Sequence, residues 1–308
     1  MYSLLHCHFE SALRAIALVR SRKVSHLETV VASPFYDRVS PADRLYLLWN
    51  TVQGLTDGED LFTEEVFRSV VRRFLDEMTA SHVEHVDLRI GPIMRRWAWM
   101  RSAADGLDVF RDELAQHDGL SVSFLAGVDL TRSQDRLDRI IDVLTTDGDV
   151  AGRLAGIDIN LLPGDLPKFD RYLPALRALQ GDGLKINMHL GELFDNAVSR
   201  YLLDRLTPDR IGHGVLLLED PSLVDLVREH GICLDMCPTS NTTLGVVNWH
   251  RTSPARRALE LGIPVSINTD DPMLFNTDLD RELRLSGLND TELDQVVAYG
   301  RKHRYDAM

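Results

Sequence analysis

Apolar positions along the chain follow two alternating rhythms. Short apolar, often β-branched runs recur at Ser3–His8, His85–Ile90, Ser121–Val128, Leu154–Ile159, Leu184–His189, Arg210–Val215, Ile232–Met236 and Pro264–Asn268. Between them, apolar residues return with the 3.6-residue helical period. Val66, Phe67, Val70, Val71, Phe74, Leu75 and Met78 form one such stripe, with Thr63 as its N-cap and Glu64 and Glu65 in the first turn. Leu137, Ile140, Ile141 and Leu144 form a second; Leu173, Leu176 and Leu179 and the pair Leu223 and Leu226 continue the pattern. Eight strand-like runs separated by helices imply parallel pairing, because each crossover needs a connection of helix length. The α/β class follows, and the expected architecture is a (β/α)8 TIM barrel. A doubly wound open sheet shares the same alternation. The stretch from Phe9 to Glu84 is too long for one crossover helix, so extra helices are expected after strand 1, at Ala12–Arg20 and Ala42–Thr51. A C-terminal helical pair is expected from Asp280 to Met308.

Length and composition narrow this picture without redirecting it. At 308 residues, with 44% hydrophobic and 26% charged residues, the chain can bury a large core and is no disordered polymer. No linker or sudden charge block divides it, so residues 1–308 are expected to form one barrel domain. The formal net charge of −13 argues against a nucleic-acid polymer or an anionic membrane as partner, since either needs a basic face. A small-molecule substrate is compatible with it. Cys7, Cys233 and Cys237 are too few for a disulfide scaffold and suit a reducing compartment. The first residues lack the basic start and apolar run of a signal peptide, and no run of about 18 apolar residues is present. A cytoplasmic location is expected.

Residues capable of chemistry gather at the C-terminal ends of the expected strands. His6-Cys7-His8 closes the first, and side chains at i and i+2 of an extended chain share a face, so both imidazoles can reach one ion. The fifth ends in Met188-His189-Leu190-Gly191-Glu192, the sixth holds Arg210-Ile211-Gly212-His213-Gly214, and the eighth ends in Asn268-Thr269-Asp270-Asp271-Pro272. Barrel active sites are built on that end. Three histidines and a carboxylate suit zinc, which lowers the pKa of water toward neutrality. Taken singly, each element has a plainer reading: an incidental His-x-His pair, a structural histidine, an Asx turn, a carboxylate at a helix start. Their joint occurrence on separate strand ends outweighs those readings.

These segments, with Cys237-Pro238-Thr239-Ser240-Asn241, resemble the adenosine deaminase-like branch of the amidohydrolase superfamily, in its order and at about its spacings from residue 6 to residue 272. The resemblance implies one zinc ion per chain held by His6, His8, His189 and Asp270. It implies Glu192 as the proton shuttle, His213 as the group that stabilises the attacking water, and Asp271 as a hydrogen-bond partner of the heterocycle. Asp270 would also accept a hydrogen bond from that water. The implied activity is hydrolytic deamination of an adenine-like amino-heterocycle, in purine metabolism. Cys237 has no second cysteine at the spacing used by cytidine-deaminase zinc sites, so a packed strand-end residue is expected there.

Specificity departs from the family pattern at two places. Phe9-Glu10-Ser11 stands where nucleoside-acting relatives have Leu-Asp-Gly and relatives acting on free adenine have Leu-Glu-Gly; Glu10, at the position that contacts the sugar in the nucleoside enzymes, is one methylene longer than theirs, and Ser11 adds a side chain. After strand four, Asn160-Leu161-Leu162-Pro163-Gly164 replaces a stretch whose glycine N–H contacts the purine; either Leu161 takes its place or Gly164 serves after a shifted loop. Both departures predict that unmodified adenosine is a poor substrate. Arg95, Arg96 and Trp97, and separately Arg132, could hold a distal anionic or aromatic part of a substrate; solvated arginines and a buried tryptophan are the plainer expectation for the first group. His82 and His85 flank the start of strand two, the wrong end for the metal. Two other readings stay open: hydrolysis of a different C–N bond, and a metal-binding barrel without catalysis, against which the intact Glu192, His213 and Asp270 argue.

Overall fold

The computed structural model describes residues 1–9, 30–53, 63–91, 93–94, 97–249, 251–272 and 274–306. Eight parallel strands, β1 (Tyr2–His8), β2 (Val83–Arg89), β3 (Ser121–Asp129), β4 (Gly156–Asn160), β5 (Lys185–Leu190), β6 (Arg210–His213), β7 (Cys233–Met236) and β8 (Val265–Ile267), pair in sequence order. The seam between β8 and β1 has no regular ladder. A parallel bridge of Cys7 to Asp270 closes it, with His8 N donating to Asp270 O at 2.8 Å and Asp270 N to His6 O at 3.1 Å. One side chain completes the seam: Asn268 Oδ1 accepts from Leu5 N (2.7 Å) and His6 N (3.1 Å). Sequential order with joined ends is the (β/α)8 barrel, and the open doubly wound sheet is excluded.

Helices occupy the connections: α1 (Pro41–Gln53), α2 (Glu64–Ala80), α3 (Ala103–Leu114), α4 (Gln134–Thr146), α5 (Leu166–Gly181), α6 (Asn196–Leu203), α7 (Pro221–Glu229), α8 (Pro238–Thr243), α9 (Pro254–Glu260), α10 (Leu279–Ser286) and α11 (Asp290–His303). Thr63 caps α2 as its side chain accepts from Val66 N, and Phe67, Val70, Val71, Phe74, Leu75 and Met78 are buried on one face. That face packs edge-on against Phe9, whose ring lies 5.8 Å from both Phe67 and Phe74. The expected extra helix after strand 1 is α1, and the C-terminal pair is α10 and α11. The other expected helix, Ala12–Arg20, lies outside the described residues. No helix among the described residues is long and apolar enough to cross a membrane.

Inside the barrel, Arg210 is wholly buried. Its Nη1 donates to Asp87 Oδ2 (2.6 Å) and His303 O (2.7 Å), its Nε to Asp235 Oδ2 (2.9 Å), and its Nη2 to Leu5 O (2.9 Å). After α11 the chain enters from the end opposite the histidines, placing the Tyr305 ring 3.7 Å from the Arg210 guanidinium. His85 belongs to this lower region: its ring bonds Ser121 Oγ (2.7 Å) and Asp87 Oδ1 (2.8 Å).

Candidate active site

The strand ends bring His6, His8, His189, His213, Glu192, Asp270 and Asp271 together, and all but His6 line one cavity of about 410 Å3. Ring centroids of His6 lie 4.9 Å from His8, 4.6 Å from His189 and 5.1 Å from His213. Asp270 Oδ1 stands 3.7 Å from His6 Nε2 and 3.5 Å from His8 Nδ1, while Asp271 Oδ2 is 3.3 Å from His8 Nδ1. Glu192 Oε2 is 3.4 Å from His213 Nε2, and His213 Nε2 is 3.3 Å from His189 Nδ1. Such packing of imidazoles needs room: a Cβ on Gly212 would meet His6 Cε1 at 2.7 Å, so only glycine lets that ring lie against β6. His213 and Asp270 both hold positive φ (66° and 58°), a conformation non-glycine residues rarely adopt and one associated with functional sites.

Asp158, on β4, joins the cluster and was not singled out in the sequence, since it sits in an ordinary buried run. Its Oδ1 is 2.8 Å from His189 Nε2, and its Oδ2 accepts from Asn187 Nδ2 (3.2 Å). Donor atoms of His6, His8, His189 and Asp158 lie within 4.8 Å of one another, as do those of His6, His213 and Asp270. Two amides steady the rings: Asn187 Nδ2 lies 3.2 Å from His6 Nδ1, and Asn241 Nδ2 3.2 Å from His213 Nδ1. Arg89 is a further residue that sequence reading missed. It lines the cavity, donates to Asn160 Oδ1 (2.7 Å) and has its Nε 3.7 Å from Asp158 Oδ1.

Burial governs the charges here. It pushes the Glu192 carboxyl well above its usual range, and the negative charges of Asp270 and Asp271 push the same way. Burial holds His213 and His189 below the ordinary imidazole value and brings His8 down to about 4. His6 moves upward, because the carboxylates of Asp270, Asp158 and Asp235 outweigh its desolvation. His6 Nε2 is buried with Asp270 Oδ1 at 3.7 Å, and His189 Nε2 is buried against Asp158 Oδ1 at 2.8 Å. Buried imidazoles with ring nitrogens directed at carboxylates around one point are a donor set that fits zinc.

The remaining sequence-singled residues are distributed unevenly. Leu161 and Leu162 line the cavity, whereas Gly164 is exposed in the Pro163–Asp165 turn and off the cavity wall. Arg132 lines the cavity. Trp97 and Trp99 are partly buried against the core, and Cys237 is buried at the end of β7. Glu10, Ser11, Arg95 and Arg96 lie outside the described residues. Leu45, Tyr46 and Trp49 of α1, with Leu193 and Phe194, add apolar lining to the cavity.

The chain is 38% identical over 119 residues to an adenine deaminase of Rhizobium meliloti, an alignment covering 37% of each chain. It is 41% identical over 111 residues to an aminodeoxyfutalosine deaminase of Acidothermus cellulolyticus, covering 34% of this chain and 31% of that one. These alignments span about a third of the curated relatives' lengths. Among solved structures, adenine deaminase from Arthrobacter aurescens superposes over 99% of this chain and 94% of its own with a TM-score of 0.79 and 21% identity. A zinc-bound amidohydrolase from Burkhoderia ambifaria does so over 99% and 85%, with a TM-score of 0.76 and 21% identity. The adenosine deaminase family model matches residues 57–302, most of the length and all of the barrel after β1. The chain belongs to the adenosine deaminase family.

Proposed function

We propose that this protein is a zinc-dependent hydrolytic deaminase of an adenine-like amino-heterocycle. The observation that carries the reading is the meeting, at one end of the barrel, of a buried high-pKa carboxyl with a cluster of imidazoles and carboxylates whose donor atoms converge. Relatives acting on adenine and aminodeoxyfutalosine support the substrate class. His6, His8, His189 and Asp270 would hold the ion, one per chain, and Asp158 would brace His189 from behind, its charge already faced by Arg89. Zinc, when bound, supplies Lewis acidity that makes water a nucleophile near neutral pH.

The chain's own groups do the rest. Glu192, kept protonated by burial, donates to the ring nitrogen on which negative charge develops, and then relays a proton to the departing amine. His213, kept neutral, stabilises the attacking water and Asp270 accepts a hydrogen bond from it. Asp271 accepts a hydrogen bond from the heterocycle. Adenosine itself is a poor substrate in this reading, because Leu161 stands on the wall where a glycine N–H is usual and Gly164 is off it. A single 1–308 domain and a cytoplasmic location belong to the same proposal; the three cysteines are all buried, as a reducing compartment permits.

The test is ammonia release by zinc-loaded protein from adenine, adenosine, 5′-substituted adenosines and other amino-heterocycles, with elemental analysis of the protein as purified. One zinc per chain and turnover of at least one adenine-like compound are expected, with adenosine not the best. Asp270→Asn loses the metal, while Asp158→Asn keeps it with affinity lowered roughly 10- to 100-fold. No stoichiometric metal after reconstitution, or no turnover on any of the panel, overturns the proposal.

A further inference from the structure

The cavity continues past the histidines to a second polar wall, at the ends of β3 and β4, that the proposed reaction does not use. Asp129, the last residue of β3, is saturated there. Its Oδ1 accepts from Thr131 N (3.1 Å), Thr131 Oγ1 (2.6 Å) and Asn160 Nδ2 (3.2 Å), and its Oδ2 lies 2.6 Å from Arg132 Nε. Although burial opposes its charge, Arg132, Arg89 and these hydrogen bonds hold the Asp129 carboxyl below its usual range, so it stays ionised. Arg132 is thus gripped at Nε alone. Its two terminal nitrogens make no hydrogen bond or ion pair among the described residues, and its side chain is 36% exposed where it lines the cavity.

We propose that Arg132 is a specificity-determining residue that binds an anionic arm, phosphate or carboxylate, of the amino-heterocycle whose ring reaches the histidine cluster. The inference rests on the deaminase reading for the identity of that ring. A guanidinium tied through Nε presents its remaining N–H groups in one plane, matched to two oxygens of an anion. Thr131 and Asn160 hold the Asp129 carboxylate, and its contact with Arg132 Nε orients the guanidinium before a ligand arrives, which lowers the ordering cost of binding. The cavity volume of about 410 Å3 lies in the range used for drug-sized ligands, more than a bare heterocycle fills. Leu161, Leu162 and Phe194 line the same cavity, apolar surface that suits an uncharged part of such a ligand. The net charge of −13 gives an anion no long-range attraction, so its selection depends on this local contact.

The experiment compares kcat/KM of zinc-loaded protein for adenosine, adenosine 5′-phosphate and adenosine 5′-carboxylate, in the native chain, Arg132→Met and Arg132→Lys. The native chain is expected to favour one or both anionic nucleosides, and which one it favours identifies the anion. Arg132→Met should lower that preference roughly 10- to 100-fold, mainly through KM, and Arg132→Lys should recover part of it as a point charge. A preference unchanged within about threefold in a folded Arg132→Met protein overturns the inference, as does a native chain that favours adenosine. Equilibrium binding of adenosine 5′-phosphate to the protein as purified separates this inference from the deaminase reading. Binding that weakens in Arg132→Met, with no ammonia released from adenine, any nucleoside or the other amino-heterocycles, sustains the anion site and removes the deaminase. Ammonia release from adenosine, with no Arg132-dependent binding of the phosphate, does the opposite.

Discussion

A carboxyl buried as deeply as Glu192, with Asp270 and Asp271 nearby, is held in its protonated form well above the pH at which an exposed glutamate ionises. That state is what a proton donor to a ring nitrogen requires, and the amide of Glu192→Gln mimics its shape without its proton. This variant is expected to keep its metal and its substrate affinity while kcat falls by about 10²–10⁴-fold. Stopped-time ammonia assays beside elemental analysis check it; near-native turnover would take Glu192 out of the chemistry. The histidines and acids at the strand ends were legible because their chemistry is rare in apolar runs and their positions share one end of the barrel. Asp158, Asn187 and Arg89 were not. They sit mid-pattern in ordinary strands, and only the closed barrel shows that their side chains turn inward to the same few ångströms.

At the scale of elements, the eight runs were visible because buried parallel strands read as apolar stretches and the helices between them keep the 3.6 period. How the ring closes was not visible. β8 is three residues long, and the seam depends on one amide side chain standing in for a missing ladder. Polar groups that replace backbone pairing leave no periodic trace in a sequence. Asn268→Ala would strand two buried N–H groups, those of Leu5 and His6, at about 1–3 kcal/mol each. The expected outcome is a lower urea midpoint, with destabilisation of roughly 2–6 kcal/mol, and weakened metal binding, because His6 is on the loosened strand. A midpoint within error of the native chain would mean that the Asp270 backbone bonds alone hold the seam.

Across the whole molecule, one buried hydrogen-bonded path joins the two ends of the barrel. Arg210 Nε bonds Asp235 Oδ2, Ser266 Oγ donates to Asp235 Oδ1 (2.7 Å), Asn268 Nδ2 donates to Ser266 Oγ (2.8 Å), and Asn268 Oδ1 receives the His6 N–H. The path begins at the C-terminal segment, where Tyr305 N bonds Asp87 and Tyr305 OH donates to Ile186 O at 3.2 Å. Tyr305 also lays its ring on the Arg210 guanidinium, shielding a charge that is otherwise compensated by Asp87 and Asp235. The tail after α11 therefore closes the barrel floor and supports the charge cluster above it. Two substitutions separate these contributions. Tyr305→Phe keeps the ring and loses one hydrogen bond, while Ile186 O keeps the one from Asp209 N (2.8 Å), so it should cost about 0.5–1.5 kcal/mol with metal content unchanged. Tyr305→Ala opens a cavity beneath Arg210 and removes the ring from its face, and should cost about 3–5 kcal/mol. Denaturant unfolding of both variants is the measurement: if alanine proves no worse than phenylalanine, the ring over Arg210 contributes nothing and the tail is held by its backbone bonds alone.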